Sequence, residues 1–402
     1  MPEFVPASRV TRIKSSPSVA AAARVRELKA EGRRILDLTV GEPDFDTPQH
    51  IKDAAIAAIG RGETKYTSVT GTPELQKAIL ETLQRKTGQQ YAPGEITIGG
   101  GGKQVIFTAF MATLDAGDEV VIPAPYWVSY PDMVLANEGT PVIVSCGGDT
   151  GFKLTPEVLA GALTERTKWV ILNTPSNPTG AVYSREELAD LAAVLKDHPA
   201  VYVLTDEIYD EIHFGDGPIT SLVAVAPELK NRVLVTNGVS KAYAMTGWRL
   251  GYAGGPAPLV AAINKLQSQM SSCPSSVSQA AAAAALTGDQ DFVRESVEVY
   301  RERRDAAVSG LNAVEGLQCA TPEGAFYAYV NCAGVIGKTT PDGREITNDE
   351  DFTLYLLEAA SVAVIQGSAY GMSPYFRISY ATGLPVIEES IAAIEKAVTA
   401  LA

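Results

Sequence analysis

Between residues 95 and 255 short runs rich in β-branched residues alternate with longer stretches whose apolar positions recur at helical spacing. Consecutive parallel strands cannot be joined by tight turns and need a crossover, so this alternation restricts the chain to βαβ units around a mainly parallel sheet. The spacing predicts strands at 95–98, 119–122, 142–144, 169–172, 201–204, 233–235 and 249–253. Several are apolar at every position, as strands covered by helices on both faces must be. Ser184 followed by Glu187 predicts a capping box that opens a helix over 186–195.

Past residue 288 the pattern changes. A charged helix over 291–311 carries Arg294, Glu298, Arg301 and Arg304 on a face that is solvated or paired, and strands follow at 326–330, 362–365 and 376–379 before a closing helix at 386–401. The N-terminal stretch has its own helix (19–30) and strand (35–38) and is placed to join the C-terminal part in space. The expected organisation is an α/β large domain, 47–290, and a smaller α+β domain made of 1–46 and 291–402, in keeping with a length of 402 residues.

The net charge of −14 makes nucleic acid and acidic membranes poor partners, so an anionic ligand must be captured by local cations. The longest apolar stretch, 280–286, is far short of the ~20 residues a membrane span requires. No long apolar core follows Arg9, Arg12 and Lys14 as a secretory leader would need, and a cytoplasmic location is expected. Cys146, Cys273, Cys319 and Cys332 are scattered, as are His50, His198 and His213, which predicts reduced thiols and no metal site.

In open α/β sheets ligands bind beyond the carboxyl ends of the strands, where helix N-termini offer free N–H groups. After the strand at 95–98 comes Gly99-Gly100-Gly101-Gly102-Lys103, a phosphate loop or equally a plain turn. After 119–122 comes Pro123-Ala124-Pro125-Tyr126-Trp127, and after 169–172 comes Asn173-Thr174-Pro175-Ser176-Asn177-Pro178, both readable as tight turns. The strand at 201–204 delivers Asp206 and Tyr209, and singly the aspartate reads as a helix cap. The strand at 233–235 delivers Ser240-Lys241, with Arg249 eight positions on. What changes these separate readings is convergence on one rim. A lysine for a Schiff base, an acid for a pyridine nitrogen, donors for a phenolic oxygen, a stacking ring and an anion cradle are together what pyridoxal 5′-phosphate requires.

With these residues in view the chain resembles the fold-type I, class I aminotransferases, most closely the bacterial aspartate and prephenate aminotransferase branch. The resemblance runs through Gly41-Glu42-Pro43-Asp44-Phe45, Lys65-Tyr66-Thr67, Gly102-Lys103-Gln104, Tyr126-Trp127-Val128-Ser129-Tyr130, Asn177-Pro178-Thr179-Gly180, Asp206-Glu207-Ile208-Tyr209, Ser240-Lys241 through Gly247-Trp248-Arg249, and Phe376-Arg377-Ile378-Ser379-Tyr380. It implies that Lys241 is the Schiff-base lysine and proton shuttle, that Asp206 keeps the ring nitrogen protonated, and that Tyr209 and Asn177 bond the phenolic oxygen. It further implies that Trp127 stacks on the ring, that Gly102, Lys103 and Arg249 hold the phosphate, and that Arg377 grips the substrate α-carboxylate beside Gly41. Lys103 and Lys14 are the implied partners of a distal carboxylate, though Lys14 reads equally as a solvated terminal residue.

One position departs from the family. Gly238 stands where many relatives have a serine directed at the phosphate, which shifts weight onto the glycine loop and Arg249. The resemblance also implies cis peptides at Ala124-Pro125 and Asn177-Pro178, and a homodimer in which Tyr66 reaches the partner's cofactor. The expected activity is transfer of an amino group between aspartate or glutamate and oxaloacetate or 2-oxoglutarate. Prephenate or aromatic amino acids, or a β-lyase reaction on the same scaffold, are the alternatives.

Overall fold

The computed structural model describes residues 4–14 and 17–402. In chain order its strands are β1 (Leu36–Asp37), β2 (Ile96–Gly99), β3 (Glu119–Ala124), β4 (Thr140–Ser145), β5 (Thr167–Asn173), β6 (Tyr202–Asp206), β7 (Val233–Gly238), β8 (Gly251–Gly254), β9 (Gln318–Cys319), β10 (Tyr327–Asn331), β11 (Val362–Ala363), β12 (Ile365–Gln366) and β13 (Tyr375–Ser379). The main sheet has the order β2-β8-β7-β6-β5-β3-β4. β3 to β7 run parallel, and β8 is inserted antiparallel to both of its neighbours. The fold class is therefore the expected α/β arrangement.

Helices cover both faces of this sheet, which is why its inner strands are largely buried. One core layer packs Leu75, Ile79, Leu188 and Leu191 against Val170, Val203 and Val235, and the opposite layer packs Ile106, Phe110 and Ile263 against Val120, Ile171 and Leu234. β4, at the edge, is the one strand of the sheet with no fully buried residue. The capping box forms as expected: Ser184 Oγ accepts from the Glu187 N–H and the Glu187 carboxylate accepts from the Ser184 N–H, opening the helix Arg185–Lys196.

A second, antiparallel sheet, β12-β13-β10-β9, packs on the helices Asp291–Ala313 and Leu384–Thr399. The N-terminal stretch does join this part, β1 pairing in parallel with β11 through Leu36 and Val362. Arg303 ties the long charged helix to the N-terminal segment by a two-pronged pair with Asp44 at 2.7 and 2.9 Å. The face named above is paired, Arg294 with Asp291, Arg301 with Glu298 and Arg304 with Asp305.

Two expectations are corrected. The single strand at 362–365 is two short strands in different sheets, broken at Val364 so that the chain crosses from β1 to β13. Arg249 precedes its strand and does not belong to it, because its backbone adopts a left-handed φ of 54° that turns the side chain toward the glycine loop. The apolar stretch at 280–286 packs inside its own chain, with Ala281, Ala282 and Ala285 fully buried.

Candidate active site

The carboxyl ends of the parallel strands open into a cleft of about 560 Å³ whose wall on the other side comes from the second sheet and from residues 37–42. β6 ends on Asp206, and the turn after β7 presents Lys241. The turn after β5 brings in Asn177, the loop after β3 Trp127, and β13 contributes Arg377 from a distance of more than a hundred residues in sequence. Gly41, Gly102, Lys103, Tyr209 and Arg249 also line it. Lys14, expected there, and Tyr66, expected to reach a partner's cofactor, are not among its lining residues. Lys14 is exposed, its backbone N–H donating to Asp132 Oδ1 at 3.1 Å, and Tyr66 lies on the outer surface, 90% exposed.

Lys241 reaches across the floor to donate to the Gly41 carbonyl at 2.5 Å. Burial pushes its amine down to about 8; Glu42 opposes this, while Arg377 and Arg249 add to the fall. Asp206 is buried beneath it. Its Oδ2 accepts from Tyr130 Oη at 2.7 Å and its Oδ1 from the Ile208 N–H at 3.3 Å, and burial raises the carboxyl to about 6. The Tyr209 hydroxyl meets that of Tyr327 at 2.8 Å, and burial holds it protonated well above the ordinary phenol range. Trp127 stands edge-on to Tyr130, ring centroids 5.2 Å apart.

Arg377 is fixed by two donated bonds, Nη1 to Asn177 Oδ1 at 3.0 Å and Nη2 to the Thr39 carbonyl at 2.7 Å, and lies over the Tyr327 ring at 4.3 Å. Its buried Nε has no protein partner. A guanidinium N–H kept out of water without an acceptor is costly, and Arg377 lines the cleft, where a carboxylate would suit its guanidinium. At the far end the helix Gly102–Thr113 points its N-terminus into the cleft beside Arg249, which donates to the carbonyls of Gly100 and Thr246. The loop can be this tight only without side chains. A Cβ on Gly101 (φ 99°) would come within 2.5 Å of Arg249 Nη2, and one on Gly251 within 2.2 Å of the Gly102 nitrogen. Lys103 donates to Ser129 Oγ at 3.2 Å and hangs 4.8 Å from the Trp127 ring centre; burial, with Arg249 beside it, lowers its pKa.

These groups fit pyridoxal phosphate. A buried carboxylate with no cation bonded to it matches a ring N–H⁺, the helix N-terminus with Arg249 matches a phosphate, and the orphan Nε of Arg377 matches an amino acid's carboxylate. The family model for "Aminotransferase class I and II" covers residues 33–394. The chain belongs to the class I and II aminotransferases. It is an aminotransferase that works with pyridoxal 5′-phosphate. It is 54% identical over 394 residues to the aspartate aminotransferase of Rhizobium meliloti (strain 1021), covering 98% of this chain and 96% of that one. It is 53% identical over 386 residues to the aspartate/prephenate aminotransferase of Cereibacter sphaeroides, covering 96% of each. Its structure matches the crystal structure of the Rhizobium meliloti enzyme with a TM-score of 0.97 over the whole of both chains, at 53% identity. It also matches the Thermus thermophilus aspartate aminotransferase with maleate, at 0.91 and 38% identity over 98% of this chain and all of that one.

The aminotransferase cleft contains residues that sequence reasoning left without a role. Tyr130 stood inside a quoted motif but gave no sign that it bonds Asp206. Tyr327, in β10, had no signal at all, since its place against Tyr209 and Arg377 arises only when the two sheets meet. Asn173 holds the turn after β5 by accepting the Asn177 N–H at 2.8 Å. That turn corrects one expectation: Ala124-Pro125 is cis as expected, but the second cis bond near the cleft is Thr174-Pro175 and not Asn177-Pro178. The chain reverses before Asn177, whose position is then set by Asn173. The glycine at 238 has a steric reason, since a Cβ there would crowd Ile208, Leu250 and Gly251 at 3.1 to 3.2 Å.

Proposed function

We propose that this aminotransferase exchanges the amino group of aspartate or glutamate with 2-oxoglutarate or oxaloacetate. The observation that carries this is the cation set of the cleft. In a protein of net charge −14 the cleft gathers Arg377, Arg249 and Lys241 and adds Lys103 and Arg26, while Lys29 is paired with Asp37 at 3.4 Å; the remaining set exceeds what a cofactor phosphate and one α-carboxylate require. A substrate with a second carboxylate uses the surplus. The printed names of the relatives support the same choice, and the aspartate/prephenate names favour prephenate as a further amino acceptor. Lys14 is absent from the cleft lining of its own chain, so the prephenate reading stands on those names alone.

In this reading the cofactor, when bound, supplies a covalent anchor for the amino nitrogen and an electron sink for the α-carbon. Lys241 anchors it, is displaced by substrate, and as a free amine carries the α-proton. Its lowered pKa of about 8 leaves roughly a tenth of it as free amine at pH 7, far more than an ordinary lysine offers. Asp206, fixed by Tyr130, holds a proton on the ring nitrogen, and Tyr209 donates to the phenolic oxygen. Asn177, whose Oδ1 is occupied by Arg377, offers its amide hydrogens to the same oxygen. Gly102, Lys103 and Arg249 bind the phosphate, Trp127 covers the ring, and Arg377 with Gly41 seats the α-carboxylate. The reading also divides the chain into 47–290 and 1–46 with 291–402, and makes the protein a homodimer in which Tyr66 bonds the partner's phosphate. The exposed Ile56, Ile59 and Tyr66 support that surface.

Purified holoenzyme is tested against a panel of amino donors and 2-oxo acids. Aspartate with 2-oxoglutarate is expected to be the best pair, and ammonia or carbon dioxide in place of an oxo acid would show a different fate on the same scaffold. Lys103→Ala is expected to lower kcat/KM for aspartate at least tenfold more than for alanine, a coupling of about 1.4 kcal/mol. Equal losses for the two would remove Lys103 from the distal carboxylate.

A further inference from the structure

A second cavity of about 560 Å³ shares no lining residue with the first and opens onto Lys86, Glu207, Asp210 and Glu211. Lys86 stands in the last turn of the helix Pro73–Thr87, its side chain 15% exposed. Its ammonium pairs with the Asp210 carboxylate and with Glu211 Oε1 at 2.9 Å. The same Asp210 Oδ2 accepts from Asn237 Nδ2 at 2.7 Å, and Asn237 Oδ1 accepts the Gly238 N–H at 2.7 Å. The phenols of Tyr252 and Tyr243 and the carboxyl of Glu207 are further titratable groups that face Lys86.

The sequence positions of the bonded residues give this cluster its meaning. Asp210 follows Tyr209 directly and is on the turn that begins at Asp206, while Asn237 lies four residues before Lys241 at the end of β7. The Asp210–Asn237 hydrogen bond therefore fastens together the two separate strand exits that present the cleft's chemistry, and the Lys86 ammonium holds the carboxylate that makes it. A buried ion pair of this kind is weak as a source of stability, because removing two charges from water offsets most of their attraction. Geometry is what it can supply.

We infer that Lys86 is a positioning residue: through Asp210 and Asn237 it sets the Tyr209 turn and the Lys241 loop in register with each other. The inference rests on the roles proposed above for Tyr209 and Lys241. The test compares the wild-type holoenzyme with Lys86→Met, Asp210→Asn and the double variant. Four quantities are read: kcat, KM for aspartate, the induced circular dichroism of the bound cofactor, and the melting temperature.

Either single variant is expected to lower kcat about tenfold, with KM within about twofold of wild type and a changed induced dichroism. The double variant is expected to match the single ones, since one relay is broken only once. An unchanged kcat and dichroism in folded Lys86→Met, whatever its melting temperature, would reduce Lys86 to a structural role and overturn the inference. If Lys86→Met does not fold, Asp210→Asn decides the matter in the same way, because it leaves Lys86 paired with Glu211. A wild-type enzyme without transaminase activity would instead refute the proposed function.

Discussion

Lys241 needs a neutral amine to capture its cofactor, and its surroundings have already lowered the cost of deprotonation, taking it to about 8. The rate at which apoenzyme forms the visible chromophore with pyridoxal phosphate is expected to rise with pH and level off above about 8, as stopped-flow absorbance can follow. A plateau reached only near the ordinary lysine pKa would contradict the desolvated site. Glu207, the neighbour of Asp206, is a different case. Buried and bonded by Ser221 at 2.8 Å, it has its pKa raised to about 7 chiefly by burial, with Asp210 adding to the rise. Its folded form therefore holds a proton that the unfolded chain releases near 4.5, so its contribution to stability is present at low pH and is lost as pH rises toward 7. Glu207→Gln is expected to gain stability relative to wild type above pH 7, by up to about 3 kcal/mol, and to lose that advantage near pH 5. Denaturant titrations at the two pH values measure the difference.

At the level of elements, the phosphate end of the cleft depends on two backbones approaching more closely than side chains permit. β8 passes so near the start of the helix Gly102–Thr113 that Gly251→Ala would force the two apart. The helix N-terminus would then move away from Arg249, and cofactor affinity is expected to fall at least tenfold, about 1.4 kcal/mol, with the equilibrium dialysis constant as the measure. Retention of wild-type affinity would mean that the cradle is not formed by this approach. The capping box at Ser184 and the helices at 291–313 and 384–399 were legible beforehand, because cap chemistry and helical period are local. The break at Val364 was not, since a run of Val, Ala, Val and Ile reads as one strand until two different sheets claim its halves.

The whole molecule is strongly anionic outside its cleft and has an aromatic residue, Tyr66, fully open on its surface. An exposed phenol, with Ile56 and Ile59 also exposed in the helix before it, is what a shared site at a dimer interface would use. A mixed dimer of a Tyr66→Phe chain with a Lys241→Ala chain separates the possibilities. If Tyr66 acts across the interface, both defects fall in one site and the heterodimer keeps about half of wild-type activity from the other. Activity no greater than that of a single Tyr66→Phe site would place both residues in one chain's site and refute the shared arrangement.

The sequence by itself determined the alternation that makes a parallel sheet, the strand exits where Asp206, Asn177 and Lys241 would appear, and the glycine loop beside them, because each of these follows from local spacing and from side-chain size. It carried Arg377 and Gly41 into the cleft only by resemblance. The tertiary structure alone decided that Tyr327 meets Tyr209, that Tyr130 holds Asp206, and that Lys86 and Asn237 both meet Asp210. Those contacts join segments between 27 and 124 residues apart in the chain. No local pattern records such a meeting, since it exists only where two sheets and their covering helices pack closely enough to bring buried polar groups within hydrogen-bond reach.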